Sequence, residues 1–177
     1  MRAFEVSSII KCNDQYLVNE KALVTKLLTD SRKLGEVSGT IFFAIPTKRN
    51  TGCNYVQALY KKGVRNFVLP ADNDKENCWW MSEFREANFW WVKNVVRELQ
   101  AMAAFHRSQF NIPVVGITGS NGKTIVKDWI VQLIASDKRV VSSPKSYNSQ
   151  IGVPLSVWMI DEADELAVFE AGISEAG

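Results

Sequence analysis

The sequence predicts an α/β protein in two parts: a small α/β domain over residues 1–110, then the first part of a parallel-sheet domain over residues 111–177. Three observations carry this reading. Short apolar runs, each closed by proline or glycine, alternate with segments whose apolar residues recur at helical spacing. Residues 40–69 spell out one complete strand, helix and strand. Finally, the apolar Pro113-Val114-Val115 feeds directly into Gly116-Ile117-Thr118-Gly119-Ser120-Asn121-Gly122-Lys123-Thr124, which feeds directly into a helix-like segment from Ile125 to Ala135.

Taken in chain order, Leu23 to Leu28 is a short apolar stretch that reads as a strand leading into Thr29-Asp30-Ser31-Arg32. Thr40-Ile41-Phe42-Phe43-Ala44-Ile45 reads as a buried strand ended by Pro46. Asn54 to Lys62 carries Tyr55, Ala58 and Leu59 at helical spacing and stops at Gly63. Asn66-Phe67-Val68-Leu69 is a further strand, closed by Pro70. A polar, turn-like stretch from Asp72 to Asn77 precedes Trp79, Trp80, Phe89, Trp90 and Trp91, whose aromatic rings suit core and strand packing. A base-stacking platform would need basic neighbours that this segment lacks.

Val92, Val95, Val96, Leu99, Met102, Ala103 and His106 follow the spacing of an amphipathic helix ending near Phe110, and Asn111-Ile112-Pro113 marks a boundary. The helix after the glycine-rich loop places Val126, Trp129, Ile130 and Leu133 on one face. Arg139-Val140-Val141 is a strand, Pro154 suits the first turn of a helix, and Leu166-Ala167-Val168-Phe169 is a buried strand ending at Glu170. Three strands are few for a sheet that closes its own core, so the chain is expected to be a fragment of a longer one.

Composition narrows the function classes. With 21 basic and 19 acidic side chains the net charge is +2, too little to hold a nucleic-acid backbone. Lys61, Lys62 and Arg65 read as a solvated helix face. Cys12, Cys53 and Cys78 are odd in number and widely spaced, which fits neither a disulfide framework nor a zinc site and suits a reducing cytoplasm. No stretch approaches the roughly 18 apolar residues of a membrane span. His106, the only histidine, reads as packing or surface.

The chemistry concentrates in the loop. Glycines let successive N–H groups curl around phosphate oxygens, and the helix start adds the positive end of its dipole. Gly119, Ser120, Asn121, Gly122, Lys123 and Thr124 are therefore candidate phosphate contacts, Lys123 reaching the outer phosphates and Thr124 a magnesium ion. The common Gly-x4-Gly-Lys-Thr pattern is missed by one position, since Ile117 stands where its first glycine would be. A glycine-rich turn that merely joins strand to helix is the plain alternative. Glu170, at the carboxyl end of a strand where open α/β sheets place ligands, could share magnesium with Thr124, or be only a solvated strand end. Asp30, Ser31 and Arg32 offer an acceptor, a hydroxyl and a guanidinium suited to a sugar or diphosphate, though such a turn is common.

Four segments in order resemble the Mur ligase family. Thr29-Asp30-Ser31-Arg32 with Gly39 to Ala44 resembles the uridine-nucleotide domain of its MurE and MurF branches, and Gly116 to Thr124 resembles their ATP loop. Asn148-Ser149-Gln150-Ile151-Gly152-Val153-Pro154 and Phe169-Glu170-Ala171-Gly172 resemble the MurF branch. The resemblance implies a uridine-nucleotide domain followed by the first part of a P-loop ATPase domain. It also implies a cytoplasmic ligase of peptidoglycan synthesis, and so of cell-wall biogenesis, cell shape and cell division. That ligase uses ATP and Mg2+ to join D-Ala-D-Ala to UDP-N-acetylmuramoyl-tripeptide through an acyl phosphate. Lys123 would then act on the transferring phosphate, Thr124 and Glu170 would hold the metal, and Asn148 would lie near the γ-phosphate. Ser31 would contact the uridine nucleotide, with Asp30 and Arg32 shaping its loop.

Two departures stand out: Thr51-Gly52-Cys53 replaces a frequent Asp-Gly-His, and Ile125 and Val126 stand where relatives often have hydroxyl residues. The family's modified lysine, metal-binding histidine, adenine contacts and amine-binding domain would all lie beyond Gly177, so these residues alone are not expected to ligate. In some bacteria such ligases are fused to an alanine racemase, which the remainder could include. The competing readings are a MurE-type ligase, a folylpolyglutamate synthase relative and a nonenzymatic nucleotide-sugar binding module. The Ile-Gly-Val-Pro element and Asp-Ser-Arg argue against the first two.

Overall fold

A computed structural model describes residues 3–10, 12, 14–47, 52–71 and 83–172. Thr51, the polar stretch 72–77, Cys78, Trp79 and Trp80 lie outside the described residues. Apart from its first two residues, the chain divides into two compact units, 3–99 and 100–177.

The first unit contains β1 (Phe4–Glu5), β2 (Gln15–Tyr16), β3 (Leu23–Val24), β4 (Lys26–Leu28), β5 (Thr40–Phe43), α1 (Val56–Lys61), β6 (Asn66–Pro70) and β7 (Asn88–Val92). Five strands form one sheet in the order β2-β7-β6-β5-β4, with β4 to β7 mutually parallel and β2 antiparallel at one edge. β5, β6 and β7 are buried at every residue, as parallel strands covered on both faces must be. Val56 and Leu59 of α1 join Leu28, Phe42, Phe67, Phe89 and Trp91 in the core.

The apolar stretch 23–28 divides in two. Thr25 and Lys26 both donate their N–H groups to Gly39 O, at 2.9 and 3.0 Å, so Leu23–Val24 pairs with β1 while Lys26–Leu28 pairs with β5. Two buried amides fasten β2. Asn88 Nδ2 donates to Asn66 Oδ1 (2.8 Å), and Asn88 Oδ1 accepts from the N–H groups of Val18 and Asn19 (2.8 and 2.9 Å). The expected solvated face at 61–65 is only partly so. Lys61 and Lys62 are exposed, but Arg65 donates to the carbonyls of Tyr60 (2.9 Å) and Val64 (3.1 Å), lies over the Tyr60 ring and pairs with Glu86. A guanidinium there adds a second donor to the Tyr60 carbonyl, which already accepts the Gly63 N–H at the end of α1.

Helix α2 (Val95–Ser108) begins in the first unit and ends in the second, which adds β8 (Val114–Ile117), α3 (Lys123–Ile134), β9 (Val140–Ser142), α4 (Gly152–Val157) and β10 (Leu166–Glu170). Val92, expected to open α2, closes β7 instead. The second sheet has the order β8-β10-β9 and is wholly parallel. Val141, Ile160, Ala167 and Phe169 form its core. His106 is fully buried, its Nε2 2.9 Å from Ile160 O and its ring stacked on Trp158, a packing role. Gly152 passes so close to Tyr147 that a Cβ would lie 2.9 Å from its backbone, which accounts for glycine in Ile-Gly-Val-Pro. Among the described residues no helix is long and apolar enough to cross a membrane.

One expectation fails in an informative way. The apolar face of α3 is not a core face within these residues: Trp129 is 64% exposed and Leu133 77% exposed. The residue α3 buries is Lys127.

Candidate functional site

Topology puts the pieces of the phosphate loop together. β10 lies between β8 and β9, and its last residue, Glu170, is in register with Ile117, the last of β8. The carboxylate therefore stands at the carboxyl end of the central strand, beside the start of the loop. Gly119 (φ 142°) and Gly122 (φ 78°) take conformations that residues with a Cβ rarely adopt, and they turn the chain tightly enough for α3 to begin at Lys123. Gly122 provides no side-chain cap, so the first N–H groups of α3 are available to an anion.

The side chains converge on a cleft of about 260 Å3 lined by Ser120, Asn121, Gly122, Lys123, Thr124, Asn148 and Glu170. The Lys123 ammonium folds over the loop and donates to the carbonyls of Gly119 and Ser120. Thr124 Oγ1 donates to Glu170 Oε2 at 3.1 Å. Asn148 is held by its main chain, Gly172 N–H donating to Asn148 O at 2.7 Å. A Cβ at position 172 would meet the same carbonyl oxygen at 2.7 Å, which is why Phe-Glu-Ala-Gly ends in glycine.

Three residues that the sequence did not single out complete the site. Glu170 is fully buried, and its N–H donates to Ser143 Oγ at 3.0 Å. Lys127 Nζ lies 3.2 Å from Glu170 Oε1 and donates to the carbonyls of Ser143 (2.9 Å) and Lys145 (3.1 Å). Ser146 Oγ is 3.5 Å from Thr124 Oγ1. The available signal was the spacing of Lys127, one helical turn after Lys123 and hence on the same face of α3.

The donor set fits magnesium. That ion prefers oxygen and commonly takes only one or two protein ligands beside phosphate and water. Thr124 Oγ1 and Glu170 Oε2 form such a pair, while Glu170 Oε1 is turned to the Lys127 ammonium. Among the described residues no group of three or more His, Cys, Asp and Glu could enclose a metal by itself.

The first unit has its own cavity, of about 730 Å3, lined by Thr29, Asp30, Ser31, Arg32, Phe42, Ile45, Thr47, Gly52 and Tyr55. Asp30 caps the short turn Ser31–Lys33. Its Oδ1 accepts from Arg32 N–H (3.1 Å) and Nε (2.9 Å), and its Oδ2 from the guanidinium at 2.8 Å. These bonds to Arg32 hold the Asp30 carboxyl down at about 2. The pair thus shapes the turn and leaves Ser31 between them, facing the cavity. Gly52, in the segment that departs from Asp-Gly-His, passes within 2.7 Å of the Ala44 backbone as measured from a built Cβ, so glycine is required there whatever its neighbours.

Comparison with known proteins agrees with the fold. Residues 117–177 match the Mur ligase middle domain. The UDP-N-acetylmuramoyl-tripeptide–D-alanyl-D-alanine ligase of Borreliella burgdorferi is 29% identical over 90% of this chain and 35% of its own length. The enzyme of the same name from Bacillus subtilis is 30% identical over 93% of this chain and 34% of its own length. The crystal structure of the Thermotoga maritima MurF ligase in complex with ADP superposes with a TM-score of 0.67 at 24% identity, covering 86% of this chain and 33% of that one, which supports the fold. The chain thus spans about a third of the length of the curated relatives it matches. With the middle-domain match at one end and alignments along most of their length, these 177 residues are homologous to the N-terminal third of UDP-N-acetylmuramoyl-tripeptide–D-alanyl-D-alanine ligases.

Proposed function

We propose that this chain supplies the ATP-phosphate and uridine-nucleotide sites of a cytoplasmic ligase that joins D-Ala-D-Ala to UDP-N-acetylmuramoyl-tripeptide in peptidoglycan synthesis. The observation that carries the reading is the meeting of Thr124 with Glu170 beside the Lys123 loop. A phosphate loop alone would serve many enzymes, whereas the ordered Asp-Ser-Arg, Ile-Gly-Val-Pro and Phe-Glu-Ala-Gly segments favour this branch.

In this reading the loop N–H groups and the start of α3 hold the ATP phosphates, and Lys123 leaves its loop carbonyls to balance charge on the phosphoryl group as it transfers to the tripeptide carboxylate. Thr124 and Glu170 would hold magnesium, which when bound would draw charge from the phosphate oxygens. Asn148, fixed through Gly172, faces the outer-phosphate side. Ser31 contacts the uridine nucleotide within a turn held by Asp30 and Arg32. The amine of D-Ala-D-Ala then displaces phosphate from the acyl phosphate; no amine site is assigned among the described residues, and these 177 residues by themselves are expected not to turn over.

The test is ATP-dependent phosphate release by the full-length protein with UDP-N-acetylmuramoyl-tripeptide and D-Ala-D-Ala, set beside the dipeptide substrate with single amino acids. Turnover with the first pair only is expected. Turnover with the second only would move the protein to the MurE type. Silence with both, while uridine nucleotides still bind, would leave a binding module. Lys123→Ala should cut turnover by about 10²-fold or more while uridine-nucleotide affinity stays unchanged.

A further inference from the structure

We propose that Lys127 is a positioning residue of the phosphate site, an internal cation that fixes Glu170 and the 143–145 turn so that the Glu170 carboxylate presents Oε2 to Thr124 and to magnesium. The inference rests on the assignment of Lys123, Thr124 and Glu170 to the ATP–magnesium site. It goes beyond that assignment because Lys127 is buried behind the cleft and does not line it.

Lysine is seldom buried without a partner, yet Lys127 is 3% exposed at the centre of the sheet-facing side of α3. Its ammonium has three donors. Two reach Ser143 O and Lys145 O, and the charge lies 3.2 Å from Glu170 Oε1. The exposed carboxylate of Asp128, 3.3 Å away, is the other acidic group beside it. The contacts converge on Glu170 from two directions. Lys127 faces its side chain directly, and through Ser143 it fixes the hydroxyl that accepts the Glu170 N–H. The carbonyl of Lys145 belongs to a residue in the left-handed region (φ 52°), a conformation that must be held in place by its surroundings. With Oε1 turned to Lys127, Oε2 is the oxygen left beside Thr124. Partners behind a metal ligand commonly set its affinity by 10- to 100-fold when removed.

The test uses the full-length protein and calorimetric binding of ATP with and without magnesium. Lys127→Met keeps the unbranched apolar stem of the side chain and removes its charged end. It should weaken magnesium-dependent ATP binding by about tenfold or more and change metal-free ATP binding by less than threefold. Equal loss in both measurements would show a merely structural lysine, and tighter binding with magnesium would show a competing charge; either overturns the proposal. Glu170→Gln and the double variant close a cycle. If Lys127 acts through Glu170, Lys127→Met adds little further loss of metal dependence in the Glu170→Gln background, whereas full additivity overturns the proposal. Because a lone buried charge costs more than none, the double variant should also melt above Lys127→Met alone, which keeps the test open if the single variant folds poorly. Wild-type protein that binds no ATP with magnesium would overturn the site assignment itself, and Lys127 with it; wild-type binding that Lys127→Met leaves intact would remove only Lys127.

Discussion

The two sheets dispose of comparable apolar sequence in opposite ways. β5, β6 and β7 are buried at every residue, with α1 packed into their core. β8 is no less apolar, yet none of its four residues is buried, and Ile125, Val126, Trp129 and Leu133 of the following helix stand open to solvent. Such a face is a surface for burial against further chain or a partner. The difference teaches that the phosphate cleft does not depend on a closed core around it. Two glycines at positive φ, the start of α3 and the Ile117–Glu170 register assemble it from one side of the sheet.

The largest effect should come from the closed sheet. Phe67 is fully buried, stacked on Phe89 with ring centroids 5.4 Å apart and edge-on to Phe42 at 6.5 Å. Phe67→Ala should cost about 3–5 kcal/mol in chemical denaturation. Leu133→Ala, at a side chain 77% exposed, should stay within about 0.5 kcal/mol. Equal losses would mean that the open face is already buried in solution, and the contrast between the sheets would fall.

A pair of glycines sharpens the comparison at smaller scale. Both Gly52 and Gly122 have positive φ, at 73° and 78°. A Cβ at Gly52 would also press on Ala44 backbone at 2.7 Å, while one at Gly122 would meet nothing within 4 Å. Gly122→Ala should therefore cost only the conformational term of about 1–2 kcal/mol. Gly52→Ala should add an overpacking term of about 1–3 kcal/mol. Denaturation curves for the two variants check the order, and Gly122→Ala melting lower than Gly52→Ala would contradict it.

Much of this was legible in the sequence because it is local. Thr40 to Phe43, Asn66 to Pro70 and Leu166 to Glu170 are apolar runs with punctuated ends, and each is a strand. The loop from Gly116 to Thr124 announces its own geometry, since glycine at the required positions and a helix start need no distant partner. What was missed is non-local. The division of 23–28 follows from Gly39 O accepting two N–H groups from across the sheet. The edge strand Gln15–Tyr16 is held by Asn88, about seventy residues away. Lys127 looked like an ordinary polar position on a helix, because the carbonyls and carboxylate that receive it come from 143, 145 and 170. Helical periodicity shows that α3 has an apolar face but not what covers it.

The smallest effect concerns the first unit's cavity, where the comparison turns from packing to charge. Glu170 is enclosed and paired with a buried lysine, whereas the Asp30–Arg32 fork is open to water, the Arg32 side chain being 88% exposed. Surface pairs of this kind contribute little to stability and are screened by salt. Their effect on ionisation is still visible, because the hydrogen bonds from Arg32 hold Asp30 down at about 2 from an ordinary 3.8. The sign follows from linkage: a carboxyl depressed on folding contributes stability above its unfolded value and loses it as the pH falls toward the folded one. The fork should therefore be intact at pH 4, weaken between about 4 and 2, and be gone below that range. A carbon-detected NMR titration of the Asp30 carboxyl checks this, with a midpoint near 2 expected. Arg32→Gln should return the midpoint toward the ordinary value, with a small loss of stability at pH 7 that disappears below about pH 2. A midpoint near 4 in the unmodified chain would mean that the fork is not held in solution, and that Ser31 is presented by the backbone turn alone.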